Sequence, residues 1–138
     1  MNNRTLIDYV FFVEAWCLLH LAKLVILLIP FKKIASWMGS LGVESLHDLH
    51  STDLSTKIEH AVRRSSRYTL HVSKCYDQAL TAKVMLGQCS LPATIYFGLA
   101  KESENQLMAH AWVRCGKSII TGKAGMDRFT LVACFGDA

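Results

Sequence analysis

A cysteine and a histidine carry the clearest candidate chemistry in the sequence. Cys75 follows Ser73, a typical residue at the start of a helix, and precedes a helix-forming run up to Leu86. The first turn of a helix presents unpaired N–H groups and the positive end of the helix dipole, which favour a thiolate and stabilise an oxyanion at an acyl carbon. We therefore predict that Cys75 is a nucleophile, although a free cysteine is also among the most commonly buried residue types.

His110 is the matching candidate for a general base. It lies in the β-forming run 107–115, where Ala109 and Ala111 leave room for an imidazole and Trp112 shares its face of the strand. The alternative is a hydrogen-bonded core histidine. A cysteine at a helix start followed by a histidine on a strand is the papain-like and transglutaminase-like arrangement, in which a third group orients the imidazole ring.

The elements that must position these residues are predicted as helices first and strands last. Helical spacing predicts helices over residues 5–29 and 31–38, a connection over 40–52, a helix capped by Thr52 or Asp53, and a helix from Ser73 that stops at Gly87. Strands are predicted over 93–100, 107–115, 118–121 and 128–135. This order indicates an α+β fold, with the cysteine helix packed on a small antiparallel sheet.

Four motifs in this order carry a family resemblance. They are SKCYDQAL (73–80), LPATIYFGL (91–99), AHAWV (109–113) and RFTL (128–131). Together they resemble the transglutaminase-like leader peptidases of lasso-peptide biosynthesis, the stand-alone B-type proteases, over roughly residues 60–136. The resemblance implies an N-terminal apolar helical region, 1–52, ahead of a transglutaminase-like cysteine protease core, 53–138.

The resemblance also implies a function and a set of partners. The family's enzymes are cytoplasmic cysteine proteases that cut the leader peptide from a ribosomally made precursor, before a separate cyclase closes the ring. In this family a small winged-helix-like domain recognises the leader, either fused ahead of the protease or as a separate protein. Because residues 1–60 are predicted to form apolar helices and not such a domain, we expect a separate leader-binding protein. The implied catalytic residues are Cys75 and His110.

The third catalytic residue departs from the family pattern. The family's aspartate corresponds to Gly122 here, so Asp127 is our candidate for orienting His110, with a backbone carbonyl, an asparagine or a water as alternatives. Gln78 either completes an oxyanion hole or is a helix-surface residue.

Composition excludes a disordered chain and argues against a nucleic-acid partner and a metal site. Hydrophobic residues make up 51% and charged residues 19% of 138, which excludes a disordered chain. The net charge is +4, and the one tight basic run, 63–67, lacks interleaved aromatics, so we expect no nucleic-acid partner but a solvated helix face or a mild attraction for an acidic peptide. The cysteines number five, an odd count, and lack zinc spacing, which predicts no metal site. The N-terminus has no signal-peptide pattern, so we expect free thiols in the cytoplasm, and we expect no cofactor. We expect the four besides Cys75 to pack as small apolar residues.

The first long helix leaves alternatives open. Residues 10–31 are apolar around most of the helix, but His20 and Lys23 interrupt them. We expect a helix buried against other helices or a partner protein, with a membrane span or peripheral membrane contact as the alternative. The competing functions are acyl transfer to an amine by the same thioester and a non-catalytic peptide-binding adaptor.

Overall fold

The computed structural model describes residues 5–45, 53–71 and 74–137. Four helices lie in the first two thirds of this part of the chain: α1 (Leu6–Leu28), α2 (Phe31–Ala35), α3 (Asp53–Ser65) and α4 (Cys75–Gln88). The strands are β1 (Ser40–Leu41), β2 (Thr94–Ser103), β3 (Gln106–Cys115), β4 (Ser118–Thr121) and β5 (Thr130–Gly136), with a 3-10 turn at Met126–Arg128. The predicted α+β fold is confirmed.

The strands form one antiparallel sheet in the order β1-β5-β2-β3-β4. One face carries the main core, in which Ile95, Val113 and Phe135 belong to the same buried cluster as Met85 and Leu86 of α4. The opposite face carries a smaller cluster built on Tyr96, Trp112 and Cys134. Because side chains alternate between the faces of a strand, His110 shares the face of Trp112, and Ala111 faces the helices.

The element boundaries differ from the predictions where tertiary contacts outweigh local signals. The stop predicted at Gly87 agrees with the structure to within one residue, because α4 ends at Gln88. The predicted connection 40–52 contains β1, which pairs with β5. Strands β2 and β3 extend beyond the predicted ranges 93–100 and 107–115 to a two-residue turn at 104–105. The predicted caps Thr52 and Ser73 lie outside the described residues.

Helix α1 is buried along one face only. Phe11, Ala15, Leu19 and Ala22 recur at helical spacing and are buried, and Phe11, Ala15 and Ala22 belong to the main core. The opposite face is exposed and equally apolar; its members include Leu6, Val10, Val13, Leu24 and Leu28. By length and composition alone α1 could cross a membrane, a test that the core helix of a soluble protein also passes. Of the 19 large apolar side chains exposed in the described part of the chain, nine thus lie on α1.

An ion pair ties the start of α1 to α3. The Lys57 ammonium donates to Asp8 Oδ1 at 2.9 Å, and Asp8 also accepts from the Thr5 backbone N–H at 2.8 Å. Lys57 is the larger cause, and together they hold the pKa of Asp8 below its usual range. A lowered carboxyl pKa contributes stability above the unfolded pKa, and this contribution is lost as the pH falls through the folded value.

We therefore expect Asp8→Asn to lower the Tm slightly at neutral pH. The difference from the wild type should shrink on acidification, because the wild-type carboxylate then becomes protonated. Thermal unfolding between neutral and acidic pH measures both effects. A constant difference across this range would show that the pair adds no pH-dependent stability.

Candidate active site

Cys75 is the first residue of α4, and Lys74 is the N-cap. The thiol is half-buried and packs against the main core. Asp77, in the same turn, accepts a hydrogen bond from the Lys74 backbone N–H at 3.2 Å. The structure therefore places Cys75 in the first turn of a helix, where backbone N–H groups and the helix dipole favour negative charge.

His110 is held on β3 by stacked aromatic rings. The ring centroid lies 4.8 Å from that of Phe129 and 5.7 Å from that of Trp112, each at 27°. Gly98 lies opposite His110 on β2, and a Cβ there would come within 2.9 Å of Phe129 Cβ and 3.0 Å of the Trp112 ring. The absence of a side chain at residue 98 is therefore what lets these rings pack around the imidazole.

A backbone carbonyl fixes the orientation of the imidazole. His110 Nε2 lies 2.7 Å from the Gly122 carbonyl oxygen. A carbonyl only accepts hydrogen bonds, so Nε2 carries the proton, and Nδ1 of the neutral ring is left as the proton acceptor. Gly122 has φ +76°, and a Cβ on it would lie 2.5 Å from the Ala111 carbonyl oxygen. Only a glycine lets the backbone come this close to β3.

One cavity of about 430 Å³ brings the candidate residues together. Cys75 and Gln78 reach it from α4, and His110 reaches it from the part of β3 that extends past the end of β4. Its remaining wall comes from α3 (Glu59, Val62 and Arg63) and from residues 119–124. The cavity thus lies at the edge of the sheet, where a helix-borne thiol and a strand-borne imidazole face the same space.

Asp127 lies apart from this arrangement. It is exposed in the 3-10 turn Met126–Arg128, and among the described contacts none joins it to His110. The position at Nε2 that a third catalytic group would take is filled by the Gly122 carbonyl. This contact favours the backbone carbonyl, one of the predicted alternatives, over Asp127 as the group that orients His110.

The other four cysteines have different environments. Burial raises the pKa of the Cys89, Cys115 and Cys134 thiols, which disfavours their thiolates. Cys17 is exposed, because it lies on the outer face of α1, so the prediction that it packs in the interior is wrong. Within the described ranges, no group of three or more His, Cys, Asp or Glu side chains is arranged to hold a metal ion.

Comparison with known families agrees with this geometry. The family model described as "Transglutaminase-like superfamily" matches residues 19–134, most of the chain. The chain belongs to the transglutaminase-like superfamily. Members of this superfamily are generally cysteine peptidases or acyltransferases, so membership implies cysteine-based acyl chemistry. No curated protein and no solved structure matches the chain.

Sequence reasoning missed one feature of this transglutaminase-like site. The sequence shows that Gly122 replaces the family's aspartate, and a backbone carbonyl is one of the predicted alternatives for orienting His110. It does not show that the carbonyl of Gly122 itself takes this role. The close approach of residue 122 to Ala111 depends on a β3–β4 register shift between Val113 and Arg114, which no local signal predicts. The available signal was the glycine itself, since a positive φ favours this residue.

We expect Gly122→Ala to destabilise the protein more than Gly125→Ala. Both glycines have φ near +75°, a conformation that costs an alanine about 1–2 kcal/mol. Only at residue 122 does the added Cβ also meet backbone, because nothing lies within 4 Å of the corresponding Cβ at residue 125. Denaturant unfolding of both variants isolates the second effect, and equal losses would contradict a close approach at Gly122.

Proposed function

We propose that this protein is a cysteine peptidase that removes the leader from a ribosomally synthesised lasso-peptide precursor in the cytoplasm. It would act with a separate leader-binding protein and a cyclase. The observation that carries the catalytic part is the cavity shared by Cys75 and His110, with the imidazole oriented by the Gly122 carbonyl. The four motifs that resemble leader peptidases support the choice of substrate.

The proposed reaction uses the thiol and the imidazole in two steps. His110 Nδ1 takes the Cys75 proton, and the thiolate attacks the carbonyl carbon at the leader–core junction. The oxyanion is stabilised by N–H groups of the first turn of α4, with Gln78 as a further donor. The imidazolium then protonates the leaving amine of the core peptide. Water hydrolyses the resulting thioester, with His110 acting again as base, and this releases the leader and the free thiol.

Mutation of each group tests its role in a reconstituted cleavage mixture. We expect Cys75→Ala to abolish cleavage, and His110→Ala to slow it by about 10²–10⁴-fold, the usual contribution of general acid–base catalysis. Mass spectrometry of the precursor measures both. Full activity of the Cys75→Ala protein would refute the proposal.

Asp127→Asn tests whether the Asp127 carboxylate orients His110. We expect a rate close to that of the wild type, because the Gly122 carbonyl already occupies His110 Nε2. A large loss of activity with unchanged folding would instead assign the role to Asp127.

An open strand edge beside the cavity supports a peptide as the substrate. Strand β4 pairs only with residues 113–115 of β3, so the outer edge of β3 from Gln106 onward has no strand partner among the described residues. The Ala111 carbonyl faces this edge, towards Gly122. Because backbone groups alternate along a strand, the N–H and C=O groups of Leu107 and Ala109 face the same edge. An extended peptide that pairs there would run towards His110.

Ala109→Pro tests this mode of binding. Proline removes the outward N–H and leaves the pairs with β2 intact, since proline is tolerated on an edge. We expect kcat/KM for the precursor to fall about 3- to 10-fold, the equivalent of one hydrogen bond, while Ala109→Gly stays near the wild type. Hydrolysis of a small thioester without a peptide extension should not change. An equal loss on both substrates would contradict strand pairing.

The second candidate, acyl transfer, shares every step up to the thioester. The two are separated by product mass, because hydrolysis adds water whereas transfer to an amine yields an amide. In the third candidate, the adaptor, Cys75 has no catalytic role and should react slowly with iodoacetamide at neutral pH.

For the leader-binding protein, we propose the exposed apolar face of α1 as the docking surface. Binding of the protein to lipid vesicles instead would favour membrane contact there.

A further inference from the structure

Two residues between α3 and α4, Tyr68 and Leu70, are hydrogen-bonded to α1. Trp16 Nε1 donates to the Tyr68 carbonyl at 2.9 Å, and the Leu70 backbone N–H donates to His20 Nε2 at 3.0 Å. Trp16 and His20 lie one helical turn apart on α1, and their ring centroids are 4.2 Å apart. This face of α1 therefore holds residues 68–70, which precede α4 in the chain.

His20 has a defined protonation pattern in this arrangement. Its Nε2 accepts from a backbone N–H, so its Nδ1 carries the proton and donates to the Trp16 carbonyl at 2.8 Å. Both ring nitrogens are thus used within the protein. The ring also meets His71 edge to face, with centroids 5.1 Å apart.

Asp77 connects His71 to the first turn of α4. One oxygen, Oδ2, accepts from His71 Nε2 and from the Lys74 backbone N–H, each at 3.2 Å. The Asp77 side chain is only 3% exposed. A carboxylate that merely caps a helix works equally well in water, whereas burial is costly unless the group is paired. The pairing with His71 is therefore a built feature of the turn that starts with Cys75.

We propose that His20, His71 and Asp77 are positioning residues that fix the first turn of α4 and so aim the Cys75 thiol into the cavity that holds His110. None of the three lines this cavity. His20 contacts Leu70 and His71, and Asp77 joins His71 to the Lys74 backbone at the start of α4. The inference rests on the proposed cysteine chemistry. It assigns part of the N-terminal region to the active site, because His20 belongs to α1.

Variants of Asp77 and His71 test the proposal. We expect Asp77→Ala and His71→Ala each to lower kcat on a small thioester about 10–100-fold, because a misplacement near 1 Å has an effect of this order. KM should change little, since neither residue lines the cavity. Asp77→Asn keeps an acceptor for Lys74 and His71, and His71→Gln keeps a donor for Asp77, so both should recover much of the lost rate.

The matched control is Asp8→Asn, which removes the ion pair between Asp8 on α1 and Lys57 on α3. This variant should lower the Tm without lowering kcat, because the Asp8–Lys57 pair lies at the far end of α1 from His20. If kcat in all variants simply follows Tm, or if Asp77→Ala keeps the wild-type kcat, the positioning role is overturned. The same conclusion follows if Asp77→Asn and His71→Gln recover nothing.

Alkylation of Cys75 separates this inference from the proposed function. Iodoacetamide modification at Cys75, resolved by peptide mass spectrometry, reports on the thiol whether or not the protein cleaves a peptide. A changed alkylation rate in Asp77→Ala, with recovery in Asp77→Asn, supports positioning even if Cys75→Ala leaves cleavage intact and the peptidase proposal fails. An unchanged rate overturns positioning even if the peptidase proposal succeeds.

Discussion

The hydrogen bond between His110 and the Gly122 carbonyl is the constraint on which the rest of the site depends. It sets the tautomer of the imidazole and points the free nitrogen away from the loop. For the bond to form, the backbone at residue 122 must approach β3 so closely that no side chain fits, and residue 98 must leave space for the rings that stack on His110. Two glycines distant in sequence thus serve a single imidazole.

A carbonyl and a carboxylate differ in what they offer the reaction. A carboxylate stabilises an imidazolium with a full negative charge, whereas a carbonyl contributes only a dipole. In the proposed reaction, the imidazolium of His110 would therefore depend more heavily on the Cys75 thiolate for its stabilisation. The first turn of α4 would favour this thiolate, so the stability of the charged pair would depend on the position of Cys75 at the start of the helix.

Much of this arrangement could be predicted from local patterns. The alternation in 107–115 predicted that His110 and Trp112 share a face, and their stacked rings confirm it. The α+β order followed from the separation of helical and strand periodicities along the chain. Cys75 at a helix start was also within reach, since capping and composition are local properties.

The parts that escaped prediction depend on contacts between distant segments. The pairing of β1 with β5 joins residues far apart in the chain, and so do the hydrogen bonds that link Trp16 to Tyr68 and His20 to Leu70. The register shift between β3 and β4 is likewise set by pairing between strands and not by a local pattern. The end of α4 shows the converse, because a local stop signal at Gly87 predicted this boundary to within one residue of Gln88.

The backbone geometry at Gly122 limits how this active site can be redesigned. A carboxylate triad cannot be installed by a single exchange at residue 122, since the position lacks the volume for an aspartate side chain: its Cβ would lie 2.5 Å from the Ala111 carbonyl oxygen. An engineer would have to lengthen or reroute the loop that follows β4, and the altered path would withdraw the carbonyl that now holds the imidazole. The carbonyl-based and carboxylate-based sites are therefore separate solutions, with no stepwise route between them through this residue.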